Sequence, residues 1–198
     1  MIKRTLVAAV LVFLAATAVQ ADEYVLDQPH SNVTFTVRHM AISKVRGTFN
    51  EFSGNLNLNP ADTSKWSCEA TIQVASIDTR NEKRDGHLKS GDFFDAENFP
   101  TISFTSTKFI PKGDNKFDIE GNLTMRGVTK PVTLQAELTG QVLDPWGNER
   151  IGATAKTTVN RMDYGVSWDN VMETGGLVVS HEVDIVLEIE AVKKSEDS

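Results

Sequence analysis

The chain has 198 residues, 40% hydrophobic and 8% aromatic, with 20 Lys and Arg against 27 Asp and Glu for a net charge of −7. That apolar content suits one globular domain and argues against disorder. A single cysteine excludes an intramolecular disulfide and any multi-cysteine zinc or iron–sulfur site, and the acidic balance argues against non-specific nucleic-acid binding, which needs clustered cations to neutralise phosphates.

Lys3 and Arg4 open the chain with positive charge, and an uncharged apolar run follows from Leu6 to Val19. Val19-Gln20-Ala21 then offers small residues where a signal peptidase cuts. This three-part pattern predicts a secretory signal peptide over 1–21, removed to leave a chain beginning at Asp22. The run is shorter than the roughly 20 residues of a spanning helix, so the alternative of a membrane anchor is weaker. Cleavage takes Lys3 and Arg4 and no acid, which moves the charge from −7 to −9. No later stretch approaches spanning length, and Cys68 has no intrachain partner. The expected localisation is the periplasm.

Apolar residues alternate with polar ones through most of what remains, which is the strand signature. Val33, Phe35 and Val37 share one face, as do Trp66, Cys68, Ala70, Ile72 and Val74. Ile102 and Phe104 begin another strand, and Phe117 to Met125, Val132 to Gly140, Ile151 to Val159 and Val183 to Ala191 keep the same period. With a strand on either side of Gly47–Gly54, the count is about eight, the number that closes a small barrel. Lys112–Asn115, Arg126-Gly127 and Pro145–Asn148 read as turns. One helix is expected near residues 81–90, charged and free of β-branched side chains, with Asp78 or Thr79 as its cap. Residues 193–198 read as a frayed charged tail. Nothing marks a second domain, so one unit is expected over 22–192.

Strands of this kind build either a sandwich or a closed barrel, and in a soluble barrel the apolar face points inward. That face carries Ala70, Gly121, Ala136, Gly140, Ala153 and Ala155. Small residues there suit a cavity, and they equally suit packing against large partners opposite.

The chain has no G-x-S-x-G, HExxH, P-loop or GxGxxG. His30, His39, His87 and His181 lack the spacing of a local metal pair, so no metal and no cofactor are expected. Cys68, on an apolar strand face, reads as a small hydrophobe rather than a nucleophile. The polar stretch from Ser76 to Lys89 suits either a head-group site or a solvated helix with ion pairs. Phe93 and Phe94 are adjacent and must face different ways, so one can cap a barrel mouth, with Tyr164, Trp168 and Met172 as the opposite rim. Ordinary core packing is the competing reading for these aromatics.

Four blocks resemble the YceI-like family of exported polyisoprenoid-binding proteins. They are YVLDQPHSNVTFTVRHMAISKVRGTF from Tyr24, SIDTRNEKRDGHLKSGDFFDAENFPTISFTST from Ser76, GNLTMRGVTKPVTLQAELTG from Gly121 and PWGNERIGATAKTTVNRMDYGVSW from Pro145. The resemblance covers nearly the whole chain after the leader. It implies an all-β fold, an eight-stranded antiparallel lipocalin-like β-barrel with a helix over part of it. It also implies an apolar pore for an isoprenoid lipid: a quinone, a quinone precursor or a polyprenyl phosphate. Carriage, storage or a stress response is the implied role. Arg126 stands where the family frequently has histidine, and Ser180-His181 where it frequently has a Gly-acidic pair.

Phe35, Val37, Ile72, Val74, Phe104 and Leu134 are the expected pore lining. His39, Asn81, Arg84, Phe93, Tyr164 and Trp168 are the expected mouth. The expected partner is an isoprenoid lipid or quinone, with no nucleic acid and no transmembrane segment after the leader. Transient membrane contact, a monomer and a homodimer are all compatible with this reading. Two rival readings stay open: an enzyme acting on a lipid or quinone through His39, His87 or Asp85, and a stress-protective protein with a filled barrel.

Overall fold

The computed structural model describes residues 21–171 and 176–195. The predicted leader lies almost wholly outside these residues, as does Met172. The strands are β1 (Asp22–Leu26), β2 (Asn32–His39), β3 (Ser43–Phe49), β4 (Phe52–Leu58), β5 (Ser67–Gln73), β6 (Ile77–Asp78), β7 (Thr101–Gly113), β8 (Lys116–Met125), β9 (Val128–Leu143), β10 (Glu149–Asn160) and β11 (Glu182–Lys193), with helix α1 at Glu82–Lys89 between β6 and β7.

All pairings are antiparallel, and the ring runs β1, β4, β5, β7, β8, β9, β10, β11 and back to β1. Three staves of this ring are broken in two. β2 continues β1 along β11, β3 continues β4, and β6 continues β5. The breaks fall at the 3-10 turns Gln28–His30 and Val74–Ser76 and at Asn50 and Glu51. Eight staves therefore close into a barrel, and the one strand paired on a single side among the described residues is the two-residue β6 at its rim.

The alternation decides which face turns inward. Phe35, Phe104, Leu123, Ile185 and Leu187 point into the barrel, with mostly polar neighbours between them. At the end away from α1 the interior is solid. Trp66 packs on Phe109 and Phe117 with ring centroids 5.9 and 5.1 Å apart, above Ile119 and Leu134. The indole N–H of Trp66 donates to the Asn59 carbonyl at 2.8 Å, which satisfies the one polar atom of that plug. Ala136, Ala155 and Cys68 pack against this cluster, and the Phe104 ring fills the space beside Gly121. Gly121, Ala136 and Ala155 thus make room for aromatic rings, Ala70 faces the cavity, and Gly140, expected on the inner face, is exposed with open space around it.

Two local expectations change. The α1 cap is Asn81, whose side-chain oxygen accepts from the Arg84 amide at 2.9 Å. Arg80 takes a left-handed φ of 62° just before it, so Asp78 turns to the Arg80 amide and Thr79 to Asp85. The last strand runs into the segment read as a charged tail, whose residues 196–198 lie outside the described residues. Lys193 is still in β11, opposite Tyr24 and 2.8 Å from Asp22, and the Lys194 amide donates to the Glu23 carbonyl.

At the plugged end Arg150 ties three elements together. Its Nε donates to Asp144 at 2.8 Å and its Nη1 to Asp27 and Glu190 at 2.6 Å each. Asp27, His30 and Glu190 bring ligand atoms within 4.8 Å of one another, and the guanidinium already supplies the cation between the two acids.

Candidate functional site

Above the plug, toward α1, the barrel holds a cavity of about 350 Å3. Its deep wall is Ala70, Leu134, Leu26 and Ile189. Phe35, Val37, Phe52, Ile72, Phe104, Ile185 and Leu187 line its middle. This volume lies near the low end of the range of about 300–1,000 Å3 for ligand pockets, and the wall is almost wholly hydrocarbon.

The polar side chains of the wall gather at the α1 end, apart from Thr34 and Thr157. They are His39, Thr79, Arg84, His87 and Arg161. Arg84 donates from Nε and Nη2 to the Thr79 hydroxyl and carbonyl, each at 2.7 Å, and Asp85 accepts from the Thr79 amide at 2.9 Å. His87 stands edge-on to both Phe93 and Trp168, at centroid distances of 4.9 and 5.6 Å, with Nε2 3.0 Å from Asp92. Phe93 and Trp168 stack on each other at 5.3 Å.

Arg161 is only 4% exposed. Its guanidinium donates to the carbonyls of Ser180, Val166 and Trp168 at 3.0, 2.7 and 2.7 Å. Burial lowers its affinity for the proton, and Asp169 opposes that from a distance. The side chain still carries its charge, because an arginine stays protonated at any physiological pH. Its bonds fix the loop after β10 across the mouth. Arg126 fixes the other side, donating to the carbonyls of Phe93 and Gly91 at 2.8 Å each and of Gly165 at 2.6 Å. The Arg126 position therefore joins the Phe93 turn to the Tyr164 turn.

The structure places most of the predicted residues together. Phe35, Val37, Ile72, Phe104 and Leu134 lie on the cavity wall, and His39, Arg84, Phe93 and Trp168 lie at its α1 end. Three do not face it. Val74 sits in the turn between β5 and β6, 1% exposed in the packed core, because the 3-10 turn ends the alternation of β5. Asn81 is spent on the helix cap and faces solvent. Tyr164 is buried beside Val166, off the cavity, with its phenol pushed to a higher pKa by desolvation. Cys68 is in the plug rather than on the cavity lining, and burial pushes its thiol up to about 11.

Sequence reading missed Arg161, Thr79, Leu88, Val166, Val178 and Val179, all on the wall. Arginine reads as a surface residue, and only the NRMDYG block hinted otherwise. Leu88 is the lone large aliphatic residue of α1, a signal within reach. His39, His87 and Asp85 are not joined by hydrogen bonds: Asp85 is held by Thr79, His87 pairs with Asp92, and His39 bridges to Val179 through its backbone.

The YceI-like domain model matches residues 24–191. A UPF0312 protein of Vibrio vulnificus is 38% identical over 179 residues, covering 89% of this chain and 90% of the relative. The crystal structure of the Campylobacter jejuni YCEI protein is 31% identical with a TM-score of 0.70, covering 80% of this chain and 90% of that one. A domain from Saccharophagus degradans, described as polyisoprenoid-binding and implicated in plant cell wall breakdown, shares the fold at a TM-score of 0.66 and 17% identity, covering 86% and 98%. With the barrel, the capping helix and the match over nearly all of the described chain, this protein belongs to the YceI-like domain family.

Proposed function

We propose that this chain is an exported, non-enzymatic carrier that holds the tail of one isoprenoid lipid in its barrel. The carrying observation is a blind apolar cavity whose charged side chains gather at one end. Each methylene moved from water into such a wall contributes about 0.8 kcal/mol, so a branched hydrocarbon tail is held without strong head-group contacts. The head group then meets Arg84, His87, His39 and Arg161 at the mouth. The domain of the same fold described as polyisoprenoid-binding makes an isoprenoid the first ligand to test. Binding, rather than turnover, is favoured because His39, His87 and Asp85 make no shared hydrogen-bonded group at the mouth. The leader pattern supports release into the periplasm.

Native mass spectrometry after gentle extraction is the test. The expected result is a protein peak shifted by the mass of one polyprenyl lipid, lost on denaturation. A protein that neither carries such a lipid nor accepts one from solution would overturn the reading.

A further inference from the structure

The hairpin between β2 and β3 stands at the cavity mouth: beyond Val37, His39 and Val45 line the cavity from its two strands. Its tip is apolar and open to solvent. Ile42 is 86% exposed and Met40 is 38% exposed. Val171, on the neighbouring loop, is 64% exposed, and that loop is joined to the tip by the Met40 amide donating to the Val178 carbonyl and the Val178 amide to Asn170.

The turn itself is costly. Met40 and Ala41 have φ of 51° and 60°, the mirror-turn conformation that favours Asn-Gly. The other two turns of this kind use Asp114-Asn115 and Arg126-Gly127, polar or glycine-containing choices. Only the mouth hairpin places bare hydrocarbon there.

Charge gives the patch its partner. From Gln28 to Asn50 the chain has Arg38, Lys44 and Arg46 and no acid, in a protein whose net charge is −7. Arg38 and Lys44 are directly cross-strand, Arg46 follows on the same outer face, and all three are exposed. Among the described residues no ion pair engages them; the acids in register, Asp184 and Asp78, lie one strand further on to either side and accept from the Thr158 hydroxyl and the Arg80 amide. An apolar tip within a basic collar is the pattern of a segment that seats in an anionic bilayer surface. At the opposite end of the barrel Leu143 and Trp146 are also exposed, but the acids Asp144 and Glu149 flank them.

We infer that the β2–β3 hairpin docks the protein, mouth first, on anionic phospholipid membranes, with Met40 and Ile42 entering the interface and Arg38, Lys44 and Arg46 facing the head groups. The inference rests on the lipid-carrier reading for its purpose, since a tail leaving a bilayer then enters the cavity without crossing water. The docking itself is measured without any isoprenoid.

The test is flotation of the purified protein with vesicles of phosphatidylglycerol and phosphatidylethanolamine, against vesicles of phosphatidylcholine alone. Binding is expected to the anionic vesicles only and to fall about tenfold or more when salt is raised to about 0.5 M. Ile42→Ser is expected to weaken it about tenfold. Lys44→Glu with Arg46→Glu is expected to abolish the preference for anionic lipid. Trp146→Ser is expected to change nothing. These positions are exposed, and an unchanged melting temperature confirms that each variant is folded. Equal binding to both vesicle types overturns the inference, as does loss on Trp146→Ser but not on Ile42→Ser. So does a concentration-dependent dimer that Ile42→Ser disrupts without vesicle binding, because the patch then covers a second copy. A protein that floats yet carries no polyprenyl lipid in mass spectrometry leaves docking standing and overturns the carrier reading alone.

Discussion

The indole of Trp168 lies over the ring of Phe93 with 5.3 Å between centroids and 29° between planes. The two residues come from separate loops, and the imidazole of His87 meets both edge-on. This trio forms part of the mouth wall, with Phe93 buried, Trp168 half-buried and His87 exposed. Trp168→Ala is expected to lower affinity for a fluorescent polyprenyl probe about tenfold, the scale of one aromatic contact. Fluorescence titration measures it, and an unchanged dissociation constant would remove the trio from the binding surface.

The middle of the cavity is open space and takes a larger side chain without overpacking. Val37→Trp is expected to leave the melting temperature within about 2 °C of the original, because it fills a void and displaces no packed atom. Lipid carried through purification should fall to background in native mass spectra. Full occupancy in this variant would place the lipid somewhere else.

Val74 makes the opposite prediction. It is buried in one cluster with wall residues such as Phe49 and Ile102 but does not itself reach the cavity, so Val74→Ala removes packing and not lining. The expected cost is about 2 kcal/mol in urea unfolding, with affinity for the polyprenyl probe unchanged.

Arg150 sets a dependence on pH. Hydrogen bonds from its guanidinium, foremost, hold the carboxyls of Asp27 and Asp144 below the usual carboxylate range. A depressed carboxyl binds its proton less readily folded than unfolded. Its stabilising effect is therefore complete above the unfolded value of about 3.9 and is lost as pH falls through the folded values. Arg150→Met is expected to melt lower than the original protein at neutral pH, with the gap narrowing below about pH 4. A gap of constant size down to about pH 2 would assign the loss to packing.

The thiol of Cys68, pushed up to about 11 by burial, is protonated at pH 8. Iodoacetamide is expected to modify it slowly in the folded protein and rapidly in urea, because the thiolate is the reactive form. Equal rates would mean that the plug opens readily.

Much of this was legible from side-chain period. The alternation around Phe35, Ile72, Phe104 and Leu134 assigned inner faces that the cavity wall reproduces. The errors fall where the period breaks. Val74 follows Ile72 in the count of two, but a 3-10 turn intervenes and sends it into the core. Asn81 was legible as polar, and whether it faces a ligand or its own helix amide depends on the left-handed Arg80 before it. Arg161 was missed for a different reason. Its burial depends on carbonyls up to nineteen positions away, such as Ser180, and no local pattern carries that information.

The ring is closed between its first and last strands, with Tyr24 opposite Lys193. That contact spans nearly the full described chain, so the entropy of closing the loop falls due before the seam returns anything. Until the 12 residues of β11 are in place, β1, β2 and β10 all present unpaired backbone. The barrel thus passes through a stage with strand edges ready to pair with other chains. A chain cut before Glu182 stays at that stage, which makes the last strand the one that separates a folded chain from an aggregating one.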